Sequence, residues 1–437
     1  MSIPVVTVGS AQEAVVGGLE RLHGPVTVVR RCSELAELIA ACQSGLAVAA
    51  VVAEGCEELT TTLVDRLGAV GVSIIALTDD PAETRRLSSI GAVPAVTGIE
   101  AADLAAKISE AVGRQSRQSG PVPARDAGFA DPGAGLKLMP VTDPVDEAAP
   151  GGGGQIIAVW GPIGSPGRTL LAVNIAAELA AEGKSVILVD ADSYGASVSA
   201  VLGLLDESAG MAQACRLADQ GLLDVEALSA VASPVFTKGG TFRVLTGTTR
   251  ADRWTELRAG AVSTVLDAAR QLADHVVVDT GFCLESDEEL SFDTLAPRRN
   301  AATLRSLEMA DVVFAIGAAD AIGVPRLVRG LAELESALPE VSPRVVLNKV
   351  KRSAVGHSPN QQLDDAWDRY GPGVGVDAYL PADPGACDAA LRSGMVLMEI
   401  APDSALRRAI AALVCAPVQQ NDSSFGRTIR ALHLLKR

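Results

Sequence analysis

Residues 161–169 read GPIGSPGRT, and these residue types in this order point to phosphate chemistry. A backbone that wraps phosphate oxygens needs glycines where it turns, a cation to meet the charge and a hydroxyl to hold Mg2+, the pattern G-x-x-x-x-G-K-[ST]. Gly167, Arg168 and Thr169 fill its last three places, while Pro162 stands at the first glycine position. Pro162 and Pro166 each remove an amide donor and restrict φ, so the loop is stiffer and offers fewer N–H groups than the full pattern. Arg168 keeps the charge but presents a planar fork in place of a compact ammonium. The candidate phosphate contacts are Gly164, Ser165, Pro166, Gly167, Arg168, Thr169 and Leu170, with Thr169 also the candidate Mg2+ hydroxyl.

The flanking elements have to position that loop. Ile156 to Trp160 is a short apolar run, and from Thr169 the apolar positions Leu170, Leu171, Val173, Ile175, Ala176 and Leu179 recur near a helical period. Gly183 closes this helix. Ser185 to Val189 then reads as a second strand that delivers Asp190 and Asp192 to its carboxyl end, the edge at which open parallel sheets bind ligands. A strand, a glycine loop and a helix N-terminus together form a phosphate-binding device, because amides and helix dipole point at the anion. Further on, His275 to Val278 is a continuous β-branched run ending in Asp279 and Thr280, of the kind buried on both faces of a sheet.

The loop, the LVDAD strand and the DHVVVDT strand together resemble the ParA/MinD family of deviant Walker A ATPases. The resemblance is closest to its CpaE/TadZ-like branch and to the actinobacterial septum-site-determining proteins, and it covers roughly residues 155 to 415. It implies a P-loop doubly wound parallel sheet, ATP or ADP with Mg2+ as cofactor, and a homodimer. It also implies that Asp279 is the Walker B carboxylate associated with Mg2+, and that Asn348 faces the adenine base. Asp192 would orient the metal-bound water as the catalytic residue; the alternative for Asp192 is a helix N-cap. The family's loop is KGGVGK[ST], whose first lysine reaches the partner's nucleotide; aligned on Gly167, that position is Ile163, which cannot make the contact.

At 437 residues the chain suggests two domains and a linker, and 48% hydrophobic with 21% charged residues is a globular balance. A formal charge of −16 and an aromatic content of 3% disfavour broad nucleic-acid binding. Seven scattered cysteines without a C-x-x-C pair read as reduced thiols rather than a zinc site or disulfide frame. The opening MSIPVVTVGS lacks the basic and apolar regions of a signal peptide, so a cytoplasmic location is expected.

Residues 1–113 alternate five apolar strand candidates with helical stretches, notably Ser33 to Cys42, Glu57 to Leu67, Pro81 to Ile90 and Ala101 to Val112. That order suggests a flavodoxin-like sheet and resembles a receiver domain. A receiver's acidic pocket is missing: the strands end in Gly9 and Ser10, in Ala53 and Glu54, and in Val96 and Thr97, and only Thr78 fits. A degenerate receiver used for protein contacts is therefore expected, with cell-division or pilus and secretion proteins as its partners. Residues 114–154, rich in glycine and proline, read as a flexible linker.

After Asp279 comes an acidic stretch followed by Arg298 and Arg299, candidates to meet nucleotide or a partner subunit in place of the absent lysine. Ser208 to Ala232 reads as mostly helical. Residues 421–437 would place Phe425, Ile429, Leu432 and Leu435 on one helical face, with Arg427 and Arg430 opposite. Such a tail either lies peripherally on the inner face of the plasma membrane or packs on a protein. Three functions compete: a regulator or localisation factor in septum placement or polar pilus and secretion assembly, with weak or absent hydrolysis; an active membrane-cycling ATPase; and a structural adaptor that binds no nucleotide.

Overall fold

Each of the five apolar runs of the first domain becomes a strand in the computed structural model: β1 (Ile3–Val8), β2 (Val26–Cys32), β3 (Ala49–Val52), β4 (Ser73–Leu77) and β5 (Val93–Ala95). The structure describes residues 2–9, 13–22, 24–118, 153–204, 209–286 and 297–415. The five strands are parallel in the order β2-β1-β3-β4-β5, which is the flavodoxin-like winding. β3 and β4 are buried throughout, because helices cover both faces of the sheet. Leu19 and Leu104 pack on one face, and Leu38, Leu67 and Leu87 on the other.

Two helix boundaries differ from the sequence reading. The helix expected across Glu57 to Leu67 is divided into a tight turn, Cys56–Glu58, and a helix, Thr61–Ala69. Thr60 makes the division by accepting the Leu63 amide as an N-cap, a side chain competing with the backbone for an orphan donor. The last helix of the domain runs Ala101–Gln118, past the boundary expected at Gly113. Residues 119–152 of the expected linker and the tail with Phe425, Arg427, Ile429, Arg430, Leu432 and Leu435 lie outside the described residues.

The second sheet contains β6 (Gln155–Trp160), β7 (Val186–Ala191), β8 (Ser233–Phe236), β9 (Thr241–Leu245), β10 (His275–Thr280), β11 (Val312–Ala318), β12 (Arg344–Val350) and β13 (Val376–Pro381). Its order is β13-β12-β11-β6-β10-β7-β9-β8. The pairs are parallel except β8 with β9. β8 directly follows the stretch read as helical, and forms a hairpin with β9 in which Pro234 stands opposite Arg243. β6 lies between β10 and β11, so the chain leaves it toward β7 on one side and later reaches β11 on the other. Crossovers that diverge in this way open a crevice at the carboxyl ends of the strands.

The helix Arg168–Ala181 is buried along nearly its whole length after the first turn. Polar bonds fix its position: Arg407 donates two bonds of 2.7 Å to the buried Glu178 carboxylate, and Asn174 accepts the Leu397 amide at 2.8 Å. The two sheets dock through the helices Thr61–Ala69 and Gly210–Asp219. Thr61 donates to the Ala218 carbonyl at 3.1 Å, the Thr62 amide to Asp219 at 2.9 Å, and Arg86 to the Gln220 carbonyl at 3.1 Å. Gly221 sits so close to the first domain that a Cβ there would lie 2.6 Å from Ile90.

Candidate functional site

The phosphate-type loop leaves β6 at Gly161, where a Cβ would lie 2.2 Å from the Ile316 carbonyl oxygen of β11. Only glycine lets the loop start this close to the neighbouring strand. Gly164 and Gly167 have φ of 119° and 107°, and Ser165 has φ of 53°. The helix Arg168–Ala181 then begins with no side chain capping its first turn. Its leading amides, with those of the loop, are the groups that an anion would satisfy. Beside the loop, Pro162, Ile163, Pro166, Ile322 and Arg326 border a cleft of about 400 Å³.

Arg168 and Thr169 point to different partners. The Arg168 guanidinium donates to the Gly161 carbonyl at 3.0 Å and pairs with Asp192 at 3.2 Å. The Thr169 hydroxyl donates to Asp279 at 2.6 Å and lies 3.1 Å from the Ser197 hydroxyl. Thr169 and Asp279, named from separate motifs, thus meet across the ends of β6 and β10. Leu170 is partly buried against the core beneath.

Three carboxylates surround this point. Asp279 is in register with Asp190 on the adjacent strand, and each is only 1% exposed. Burial pushes the Asp190 carboxyl up to about 7, although it accepts the amides of Asp192, Ser197 and Val198. Burial, and then the Asp190 charge, raises Asp279 well above the ordinary carboxylate range. One Asp279 oxygen is buried without a hydrogen-bond partner. Two buried carboxyl groups, one with an unsatisfied oxygen, next to a threonine hydroxyl fit a divalent cation, whose charge would favour their ionised form. Among the described residues no cluster of three His, Cys, Asp or Glu encloses a metal position. A Mg2+ ion here would take few protein ligands and complete its shell with phosphate and water, as Mg2+ ordinarily does.

Asp192 accepts the amides of Tyr194 and Gly195 at 2.8 and 3.1 Å, besides the Arg168 bond. The amides of Ser197 and Val198, where the short helix Val198–Val201 opens, go to Asp190, and the N-cap position of that helix is Ser197 rather than Asp192. Asn348 is 3% exposed, and its amide nitrogen donates to the Pro166 carbonyl at 2.7 Å. Arg299 lies 4.0 Å above the Tyr194 ring, and Ser193 donates to its carbonyl at 3.1 Å. Arg299 thereby ties the segment after Asp192 to the segment that follows the acidic stretch, within one chain. Arg298 is exposed beside it. Residues 287–296, most of that acidic stretch, lie outside the described residues.

Ser197, Tyr194 and Lys349 are the contributors that sequence reasoning did not single out. The sequence places Asp190 only at the carboxyl end of its strand together with Asp192, and residues two apart in a strand share one face. Ser197, Tyr194 and Lys349 carried no signal in spacing or periodicity.

The ParA family model, described as NUBPL iron-transfer P-loop NTPase, matches residues 154–232. No curated protein matches the chain. Among solved structures, a ParA family ATPase from Chlorobium tepidum TLS is 17% identical, covering 60% of this chain and 99% of its own, with a TM-score of 0.50. The cell division ATPase MinD of Pyrococcus furiosus is 18% identical over 60% of this chain and 97% of its own, with a TM-score of 0.46. The MinC:MinD cell division protein complex of Aquifex aeolicus gives 17% identity over 61% and 99%, with a TM-score of 0.42. The second sheet, with its glycine loop and the carboxylates facing it, has the fold of a ParA-type P-loop NTPase.

Proposed function

We propose that the chain is a MinD/CpaE-like regulatory or localisation protein that binds ATP or ADP with Mg2+ and turns nucleotide over slowly or not at all. One observation carries this reading: the Thr169 hydroxyl and the Asp279 carboxylate meet at 2.6 Å at the exit of the loop, with one Asp279 oxygen buried and unsatisfied. The amides of the loop and of the first helical turn bind the phosphates. Thr169 and Asp279 hold the cation, whose chemistry is to neutralise phosphate charge and order the water around it. In this reading Asp192 orients water beside them.

Slow turnover follows from two departures. Ile163 is 59% exposed where the family's bridging lysine would stand, so no ammonium reaches a partner's nucleotide from this position. Arg168 is committed to Gly161 and Asp192, and a phosphate has to compete with a buried carboxylate for it. The same ion pair favours the adaptor as the second reading, because it satisfies the loop's cation without a ligand.

In this reading the first sheet is a degenerate receiver that grips a cell-division or pilus and secretion protein. Its ligand edge carries Thr97 bonded to Asp79, and among the described residues no group of three His, Cys, Asp or Glu could hold a metal ion. No helix among the described residues is long and apolar enough to cross a membrane. Peripheral attachment at the inner membrane face through residues 421–437, and a homodimer, belong to the proposal on sequence grounds.

Calorimetry of the full chain with ATP or ADP and Mg2+, followed by phosphate release, tests the reading. Binding that is lost in Thr169→Ala, with negligible release, supports it. Rapid release would instead favour the cycling ATPase, and absence of binding at millimolar nucleotide the adaptor.

A further inference from the structure

Among the described residues only two that are not glycine have a positive φ, Ser165 at 53° and Lys349 at 61°. They are bonded to each other. Lys349 leaves the end of β12 and its Nζ donates to the Ser165 carbonyl at 2.7 Å. Its neighbour Asn348 donates to the next carbonyl of the loop, that of Pro166, at 2.7 Å, and accepts the Lys349 amide at 2.8 Å. Two consecutive side chains of one strand end therefore hold two consecutive carbonyls of the loop. A left-handed conformation in a side-chain-bearing residue is unfavourable and persists only where surrounding contacts impose it.

The chemistry of the loop explains what such bonds accomplish. A peptide group that turns its carbonyl outward turns its amide inward, and a phosphate is attracted by amides and repelled by carbonyl oxygens. In this loop Pro162 and Pro166 lack an amide, and Arg168 bonds to Gly161 and Asp192. Few internal bonds are left to fix which way the 165–166 peptides face. Ser165 and Lys349 are both exposed, whereas Asn348 is buried with both ends of its amide engaged. Lys349 is the member of the pair whose side chain can be exchanged without opening the core.

We propose that Lys349 is a positioning residue for nucleoside di- and triphosphates: it clasps the loop through the Ser165 carbonyl and so presets the amide cradle. The inference rests on the proposed nucleotide binding and adds to it a residue outside the loop. Because the clasp acts on the cradle and not on a terminal phosphate, its loss weakens ADP and ATP by the same factor. A contact to the γ-phosphate would affect ATP alone.

The experiment compares the full chain with K349M, K349G and K349R by calorimetry against ATP and ADP in Mg2+, together with thermal melting without ligand. K349M is expected to bind both nucleotides about tenfold more weakly, the scale of one hydrogen bond from a charged donor. K349G relieves the left-handed backbone, so it should melt at a higher temperature while losing the same affinity. A residue that merely shaped the turn would not separate these two effects. K349R keeps a donor and should retain most of the binding. Unchanged affinity in K349M and K349G, or a loss confined to ATP, overturns the clasp while leaving nucleotide binding intact. A wild-type chain that binds neither nucleotide overturns both.

Discussion

The buried carboxylates at the ends of β7 and β10 make the ligand-free protein less stable as pH rises, and the size of the effect can be worked out. Asp190 has an ordinary value of 3.8 and is pushed up to about 7 in the folded chain. A carboxyl whose folded value is raised binds its proton more tightly in the native state, so its stabilisation is complete below pH 4 and is lost as pH climbs toward 7. Between pH 5 and 7 one such group removes about 2 kcal/mol of stability. Asp279 is also raised, with burial the main cause, and it adds in the same direction. His275 works the other way: burial lowers its value below 6.5, and its contribution grows with pH up to that point. The assay is urea unfolding of the ligand-free chain from pH 5 to 8, repeated for Asp190→Asn. The substitution costs hydrogen bonds to backbone amides, but it should remove about 2 kcal/mol of the pH-dependent fall whatever it does to absolute stability. Saturating Mg2+ with ADP should flatten the wild-type profile, because a cation stabilises the ionised carboxylates. Profiles of equal steepness in wild type and Asp190→Asn would refute the argument.

Two further outcomes follow from close approaches. Gly161→Ala places a Cβ 2.2 Å from the Ile316 carbonyl oxygen, and the resulting overpacking should destabilise the chain by about 3 kcal/mol in denaturant unfolding. Asp219→Ala removes the acceptor of the Thr62 amide and hydroxyl. Exchange of amides in Thr61–Ala69 should then quicken by about tenfold, read by hydrogen exchange, with the Gln155–Trp160 strand unaffected.

The sequence carried the alternation of strands and helices because burial leaves a periodic trace along one chain. Ile156 to Trp160 and His275 to Val278 were readable as buried strands, and the loop between Gly161 and Thr169 by composition. Contacts set by register between distant strands leave no such trace. That Arg168 pairs with Asp192 depends on β6 and β7 being two strands apart with β10 between them. Lys349 follows an apolar strand as many surface lysines do, and nothing in its neighbours announces a left-handed φ. The hairpin of β8 escaped notice because four residues, one of them proline, are too few for alternation to show. The division at Thr60 was missed for the opposite reason: apolar spacing continued across it, and a single hydroxyl decided the break.

β8 ends the larger sheet with a short strand that runs against its neighbour and has a proline in second place. A proline inside an edge strand turns its missing donor toward solvent, so the row of groups that would recruit another strand is incomplete. Phe236, 78% exposed at the end of this strand, is therefore apolar surface beside a rim that resists β-sheet growth. The open edge of an eight-stranded sheet is a template for another chain, and on this flank the proline takes one donor out of that template.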